Sequence, residues 1–316
     1  MAYVLRRVAI SIGLIWTVAT LIFLVLRMIP GDPAELLLSS GGVAPDPAQV
    51  LELRERLGLE APLLQQYASF IGQLLRLDLG TSLTDDYPVM DEIAKRLPRT
   101  IELILAATIL AVAIGMPLGV VAALRRGSGM DRTLSAVASF NQSLPVFVTG
   151  TLLILVFAQQ LRWVPAGGYV AFAQDPARHL TNLLMPAVTI AIGLSTVVFR
   201  MTRASVLETL DRDWVRTARA KGLAPRHVVR RHVLRNSLGP VVTVIGLQMG
   251  TLLGGTVLVE YVFNWPGLSG YLVRAVEQRN YPEVQGIVLV ICALFVFLNL
   301  VVDLLYAVLD PRVRHG

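Results

Sequence analysis

Serine, histidine and lysine are the residue types here whose spacing could support chemistry. Ser269 sits in Gly267-Leu268-Ser269-Gly270, one place short of the G-x-S-x-G spacing that lifts a nucleophile onto a strained elbow. His227 and His232 are five residues apart, so on an α-helix they do not share a face as the paired ligands of H-E-x-x-H do. A Walker-type phosphate loop needs Lys followed by Ser or Thr, but Lys95 and Lys221 are followed by Arg and Gly. The single Cys292 leaves no intrachain disulfide and no cysteine metal site. These spacings weigh against an enzyme and predict no catalytic residue, no metal site and no cofactor.

The charge lies elsewhere. The stretch "DWVRTARAKGLAPRHVVRRHVLRNSLGP", from Asp213 to Pro240, is crowded with Arg and contains one acid, yet long apolar runs flank it. Asp211 or Asp213 is expected to cap a short helix over "WVRTARAK", with Val215 and Ala218 along one side and Arg216 and Arg219 elsewhere. Gly222 suits a left-handed helix end, and Pro225 suits the first turn of a second helix. In that second helix Arg226, Arg230, Arg231 and Arg235 predict a basic flank, and Val229 and Val233 an apolar one.

Such a helix-glycine-helix elbow fits a docking element for a partner, with small Ala218 and Ala220 permitting close approach. Topology control alone would require positive charge but no elbow. Nucleic acid is disfavoured, because aromatic stacking groups are missing and the loop is tethered to lipid.

That tether follows from composition. Hydrophobic residues make up 54% of the 316 residues and charged residues 16%, well below the roughly 25% usual in soluble domains. Six uncharged stretches reach the roughly 18 residues that suggest a spanning helix: Val8 to Leu26, Leu103 to Leu124, Leu134 to Leu161, Leu180 to Phe199, Asn236 to Val259 and Val284 to Val302. Val8 to Leu26 reads as an uncleaved anchor, since "RMIPGDP" follows it in place of a small-residue cleavage site.

With the N-terminus inside, the inner segments hold 2, 3, 10 and 2 basic residues. The outer segments hold 6, 2 and 2, and the 6 belong to a long stretch carrying 11 acids. The bias puts the elbow and both termini in the cytoplasm.

Between Ile29 and Arg99, "PAQVLELRERLGL" and "PLLQQYASFIGQLLRLDLG" predict two short amphipathic helices packed on the outer face. Ionisable residues within the spans are scarce; Arg27, Glu102 and Asp303 are borderline, which disfavours an ion-coupled carrier or autonomous channel. In "SFNQSLPVFVTG", Asn141, Gln142 and Ser143 precede Pro145, which frees a backbone carbonyl. This cluster is either part of a translocation path or a polar helix-helix contact.

The segments "RMIPGDPAE", "RLGLEAPLLQQYASFIGQLLRLDLGTSL", "RLPRTIEL", "RTARAKGL" with "RHVLRNSLGPVVT", and "VFNWPGLSGYLVRAVEQRNYPEVQG" together resemble the permeases of type-1 ABC importers. The resemblance is to the first of the two permease subunits in the dipeptide/oligopeptide group, with its nickel and glutathione relatives. It covers nearly the whole chain.

The resemblance implies an all-α, six-helix membrane protein with an extracytoplasmic helical insert after the first helix. Its parts are an anchor and insert over 1–96, the transmembrane domain over 97–309 with a coupling loop at 200–239, and a cytoplasmic tail at 310–316. It implies a bacterial inner membrane location and peptide cargo, with nickel, glutathione or another small solute as the alternative. The implied partners are a homologous second permease subunit, two ABC ATPase subunits that hold ATP and magnesium, and an extracytoplasmic solute-binding protein.

The ATPase-docking residues it implies are Asp213, Trp214, Arg216, Thr217, Ala218, Arg219, Ala220, Lys221 and Gly222. The family pattern E-A-A-x-x-x-G falls here on Arg216, Thr217, Ala218 and Gly222, so its leading carboxylate is missing. Ser269 stands where the relatives usually have Gly.

Overall fold

The computed structural model describes residues 2–28, 34–35, 46–56, 58 and 60–309; the side chains of 2–4, 26, 53, 56 and 302–309 are outside that description. The tail 310–316, most of "PGDPAELL" and the side chain of Asp303 therefore lie outside the described residues.

The described chain is helical throughout, apart from turns and one isolated bridge between Thr81 and Pro88. We number the helices α1 (Ala2–Met28), α2 (Pro47–Arg56), α3 (Leu63–Leu75), α4 (Val89–Leu124), α5 (Gly129–Ser143), α6 (Val146–Gln160) and α7 (Pro176–Leu210). There follow α8 (Asp213–Ala220), α9 (Pro225–Gly255), α10 (Val257–Val262), α11 (Leu268–Glu277) and α12 (Tyr281–Leu309).

Five of these, α1, α4, α7, α9 and α12, are long and apolar enough to cross a membrane. The sixth expected span, Leu134 to Leu161, is not one straight helix. It is the pair α5 and α6, bent by 99°. Pro145 is the cause: it pushes Leu144 into an extended conformation (φ −85°, ψ 124°) and then caps α6. An apolar run does not record such a break. Likewise the expected span Asn236 to Val259 is interrupted at Thr256, where α9 gives way to α10.

The pairing of α4 with α7 organises the bundle. On α4, Ala107, Ala111, Gly115, Gly119 and Ala123 recur every fourth residue and are all buried. Residues at that spacing share one helix face, and small ones let two backbones approach closely. A Cβ at position 115 would stand 2.5 Å from the Ser195 carbonyl oxygen, and one at 119 would stand 2.7 Å from that of Phe199. At about 1.5 Å per residue both helices run to roughly 50 Å, longer than the hydrocarbon core, so their polar ends project from it.

Those projecting ends carry the loops. At one end, Asp131 of α5 accepts from Arg203 of α7 in a two-pronged pair at 2.7 and 2.9 Å. There too, the Ser205 hydroxyl of α7 donates to the Ser237 carbonyl of α9 at 2.8 Å.

At the opposite end, Val89 and Ile93 of α4 share a core with Leu268, Tyr271, Ala275 and Ile287. Buried Asn280 donates to Ser82 at 2.9 Å, and Tyr87 donates to Glu283 at 3.0 Å. Helix α3 folds back on α1 at this end, with Tyr67 and Phe70 5.3 and 5.6 Å from the Phe23 ring. The two expected insert helices are α2 and α3.

Candidate coupling elbow

Helix α7 runs on to Leu210, and the extended residue Arg212 (φ −72°, ψ 144°) leads into α8. This corrects the expected cap: neither Asp211 nor Asp213 accepts a capping hydrogen bond. Asp213 is instead the first residue of α8, where its carboxylate meets the positive end of the helix and lies 3.7 Å from Arg216.

The apolar side of α8 fixes its position. Val215 is fully buried and Ala218 half-buried, packed with Ala123 of α4, Val206 and Leu210 of α7, and Val228 and Val233 of α9. Burying one valine completely is worth about 1.5–3 kcal/mol, enough to hold an eight-residue helix that would not persist alone.

The elbow then turns by a Schellman motif. The Leu223 amide donates to the Ala218 carbonyl at 3.4 Å, and the Gly222 amide donates to Arg219 at 3.0 Å, with Gly222 at φ +76°. Any L side chain there would meet the left-handed penalty of about 1–2 kcal/mol. Pro225 opens α9, where its missing amide costs nothing.

The first turns of α9 depart from expectation. Residues Val228–Val233 form a π-helix, whose wider turn brings positions five apart onto one face. The buried pair is accordingly Val228 and Val233, both fully buried, while Val229 is only half-buried. For the same reason His227 and His232 do share a face, their ring centroids 6.1 Å apart.

The opposite face of the elbow is open. Asp213, Trp214, Arg216, Thr217, Arg219, Ala220, Lys221 and Gly222 are exposed, Trp214 at 41%. Thr217 donates to the Asp213 carbonyl of its own helix at 3.0 Å. Of the two small residues expected at a contact, only Ala220 faces outward, because Ala218 points into the bundle. The result is a ridge of one indole and several cations on a buried base that belongs to three spanning helices.

The polar cluster at the α5–α6 bend separates. Asn141 is half-buried and lines a cavity of about 250 Å³ between α4, α5 and α7, together with Ser195 and Thr196. Gln142, Ser143 and Pro145 are exposed, and the Ser143 hydroxyl donates to the Ser139 carbonyl of its own helix at 3.1 Å.

One buried acid escaped the sequence reading, which treated the residues after Val259 as the edge of a span. Glu260 is 1% exposed. Its Oε1 accepts from Thr100 of α4 at 2.7 Å and its Oε2 from the Gly270 amide of α11 at 2.9 Å. The Leu268 amide donates to Thr100 at 2.8 Å, so carboxylate and hydroxyl together fasten "WPGLSG" to α4. Burial pushes the Glu260 carboxyl upward from its ordinary range, against the opposing pull of the Gly270 and Thr100 donors. The signal was an acid directly after an apolar run and before a Pro-Gly loop.

Ser269 is sealed within this clasp, its hydroxyl 3.1 Å from that of Thr256 and 3.3 Å from the Leu253 carbonyl. A second clasp joins Glu102 of α4 to His179 of α7 at 2.6 Å, the latter enclosed by Tyr169, Phe172 and Trp265.

Family models match along the chain. Residues 115–315 match "Binding-protein-dependent transport system inner membrane component", and residues 1–104 match the N-terminal model "Binding-prot-dependent transport system membrane comp, N-term". The di/tripeptide transport system permease protein DppB of Pseudomonas aeruginosa is 40% identical over 338 residues, covering 100% of this chain and 99% of the relative. The glutathione transport system permease protein GsiC of Escherichia coli K12 is 42% identical over 314 residues, covering 99% of each.

An inward-facing structure of the MetNI methionine ABC transporter shares the fold at a TM-score of 0.58 and 19% identity, over 70% of this chain and 97% of that one. With its elbow and bent fifth and sixth helices on a bundle of this fold, the chain belongs to the family of binding-protein-dependent transport system inner membrane components.

Proposed function

We propose that this chain is a permease subunit of an ATP-driven importer of di- and oligopeptides, forming half of the pathway beside a homologous second permease. The reading rests on the elbow. Its buried side is packed on α4, α7 and α9, and its exposed side offers Trp214, Ala220 and cations to a partner. Two ABC ATPase subunits would grip that ridge and supply the ATP and magnesium chemistry that this chain does not perform, while a solute-binding protein would deliver cargo at the opposite end.

The charge distribution supports an inner-membrane topology with the elbow and both termini in the cytoplasm. An anchor and insert over 1–96, a transmembrane domain over 97–309 and a tail at 310–316 fit this arrangement. Peptide cargo is supported by the names of the DppB relatives and is compatible with that of GsiC, since glutathione is itself a peptide.

Because an equilibrium moves only through differential binding to its states, closure of the ATPases must bind one arrangement of the two elbows better than the other. Asn141 is the pathway residue retained from the bend cluster, on the strength of the cavity it lines.

The test is uptake and ATP hydrolysis in vesicles holding the full complex. Ala220→Asp, on the outer face, and Gly222→Pro, at φ +76°, should leave the chain inserted while peptide uptake falls at least about tenfold, the factor for roughly 1.4 kcal/mol. Normal uptake in both variants overturns the docking role.

A further inference from the structure

At the end of the bundle opposite the elbow, α1, α3 and the start of α12 enclose a cavity of about 350 Å³ that coupling does not use. One wall is polar, with Arg27, Asp78 and the carboxamides of Gln65, Gln73 and Gln285; Phe23 and Leu289 line another part.

Two crossings end at this cavity. The uncharged run Val8 to Leu26 of α1 ends at Arg27, and the apolar helix α12 begins at Tyr281, which also lines the cavity. Span ends mark the level at which hydrocarbon gives way to phospholipid head groups. The polar wall is therefore at head-group depth, with Phe23 and Leu289 inside the span limits just below. Leu21, Leu24 and Val25 are exposed on the adjoining turns of α1, as expected of a helix facing lipid.

The charges are also specific. The Arg27 guanidinium stacks 4.4 Å over the Phe23 ring and donates through Nε to Gln66 at 2.7 Å; no carboxylate among the described residues pairs with it. Asp78 accepts from the Gly80 amide at 2.9 Å and has no cationic partner among the described residues. One cation and one anion around an amide-rich cavity complement a zwitterion better than a simple anion.

We propose that this cavity binds the head group of a phospholipid carrying both a phosphate and a primary ammonium. Arg27 holds the phosphate, Asp78 faces the ammonium, and the acyl chains descend past Phe23 and Leu289. The volume suits a head group and the first chain carbons, not a whole lipid. Such a lipid would tie the insert helix α3 to α1 and α12.

Native mass spectrometry tests this on the full permease complex from nanodiscs of equal phosphatidylethanolamine and phosphatidylglycerol. The wild type should retain phosphatidylethanolamine preferentially. Arg27→Gln should reduce that retention about tenfold or more, the factor expected from losing a charged hydrogen bond. Asp78→Asn should erase the preference while phospholipid is still retained. Gln285→Glu, which places a second carboxylate by the phosphate, should also lower retention and serves should Arg27→Gln fail to insert. Arg76→Gln, a cation of the insert outside the lining, should change nothing.

Equal retention of the two lipids by the wild type, or unchanged retention in both Arg27→Gln and Gln285→Glu, overturns the proposal. Displacement of the lipid by millimolar diglycine, which carries no phosphate, would assign the cavity to soluble zwitterions of another class and likewise overturn it.

Discussion

Val215 and Val228 stand on opposite sides of the Gly222 turn, and both are fully buried in the cluster that contains Ala123 of α4 and Val206 of α7. The two arms of the elbow are thus pinned to the same patch of the bundle. A force on its exposed ridge reaches three spanning helices through apolar contact.

Shortening Val215 should loosen this seat. Val215→Ala removes two buried methyl groups at a cost of about 2 kcal/mol. The melting temperature of the detergent-solubilised complex should fall, and ATP hydrolysis should become less dependent on the binding protein. An unchanged melting temperature would mean that α8 is held by its ends alone.

The small-residue face of α4 makes a sharper demand. In Gly119→Val the new side chain has nowhere to go, because even a Cβ would stand 2.7 Å from the Phe199 carbonyl oxygen and 2.8 Å from Thr202. Overpacking of this kind costs typically 1–3 kcal/mol or more. Folded yield should drop sharply for Gly119→Val and stay normal for Gly193→Ala, whose Cβ meets nothing within 4 Å. Equal yields would contradict the close approach of α4 and α7.

Much of this fold was legible in sequence. Five spanning helices, the apolar pair at the bend, two insert helices and the glycine elbow followed from apolar run length, period and the φ preference of glycine. The bend at Leu144 was hidden because hydropathy counts side chains, and a backbone break within an apolar run leaves composition unchanged. The partners of Val233 and His232 were misplaced because a 3.6-residue period was assumed where the chain adopts a π turn. The three-residue spacing of Val215 and Ala218 already placed them on one side, which the packing bears out, and this conflicts with counting Ala218 at the partner contact. Glu260 was overlooked because its partners Thr100 and Gly270 come from distant segments that only the packing brings together.

Glu260 should give the loop clasp a pH dependence. Burial raises its folded-state pKa above the ordinary carboxylate value, so the folded protein favours the protonated form. Its contribution is complete below the ordinary value and is lost as pH rises through the raised one. Melting temperature should therefore fall, as pH rises above the ordinary carboxylate range, more steeply in the wild type than in Glu260→Gln. Glu260→Ala should be less stable than Glu260→Gln throughout, since it leaves Thr100 and the Gly270 amide without their acceptor. Parallel pH profiles for wild type and Glu260→Gln would refute this.

The central claim is that the ridge carrying Ala220 is gripped by an ATP-hydrolysing neighbour below the bilayer. The most direct measurement is site-specific cross-linking in sealed native vesicles, with Ala220→Cys on the ridge and Leu77→Cys at the opposite end of the bundle as control. The account predicts that Ala220→Cys cross-links to the co-assembled ATPase and is protected from an impermeant thiol reagent applied to the extracytoplasmic side, whereas Leu77→Cys is labelled and forms no such cross-link. Labelling of Ala220→Cys from that side, or absence of any cross-link to an ATPase in the assembled complex, would contradict it.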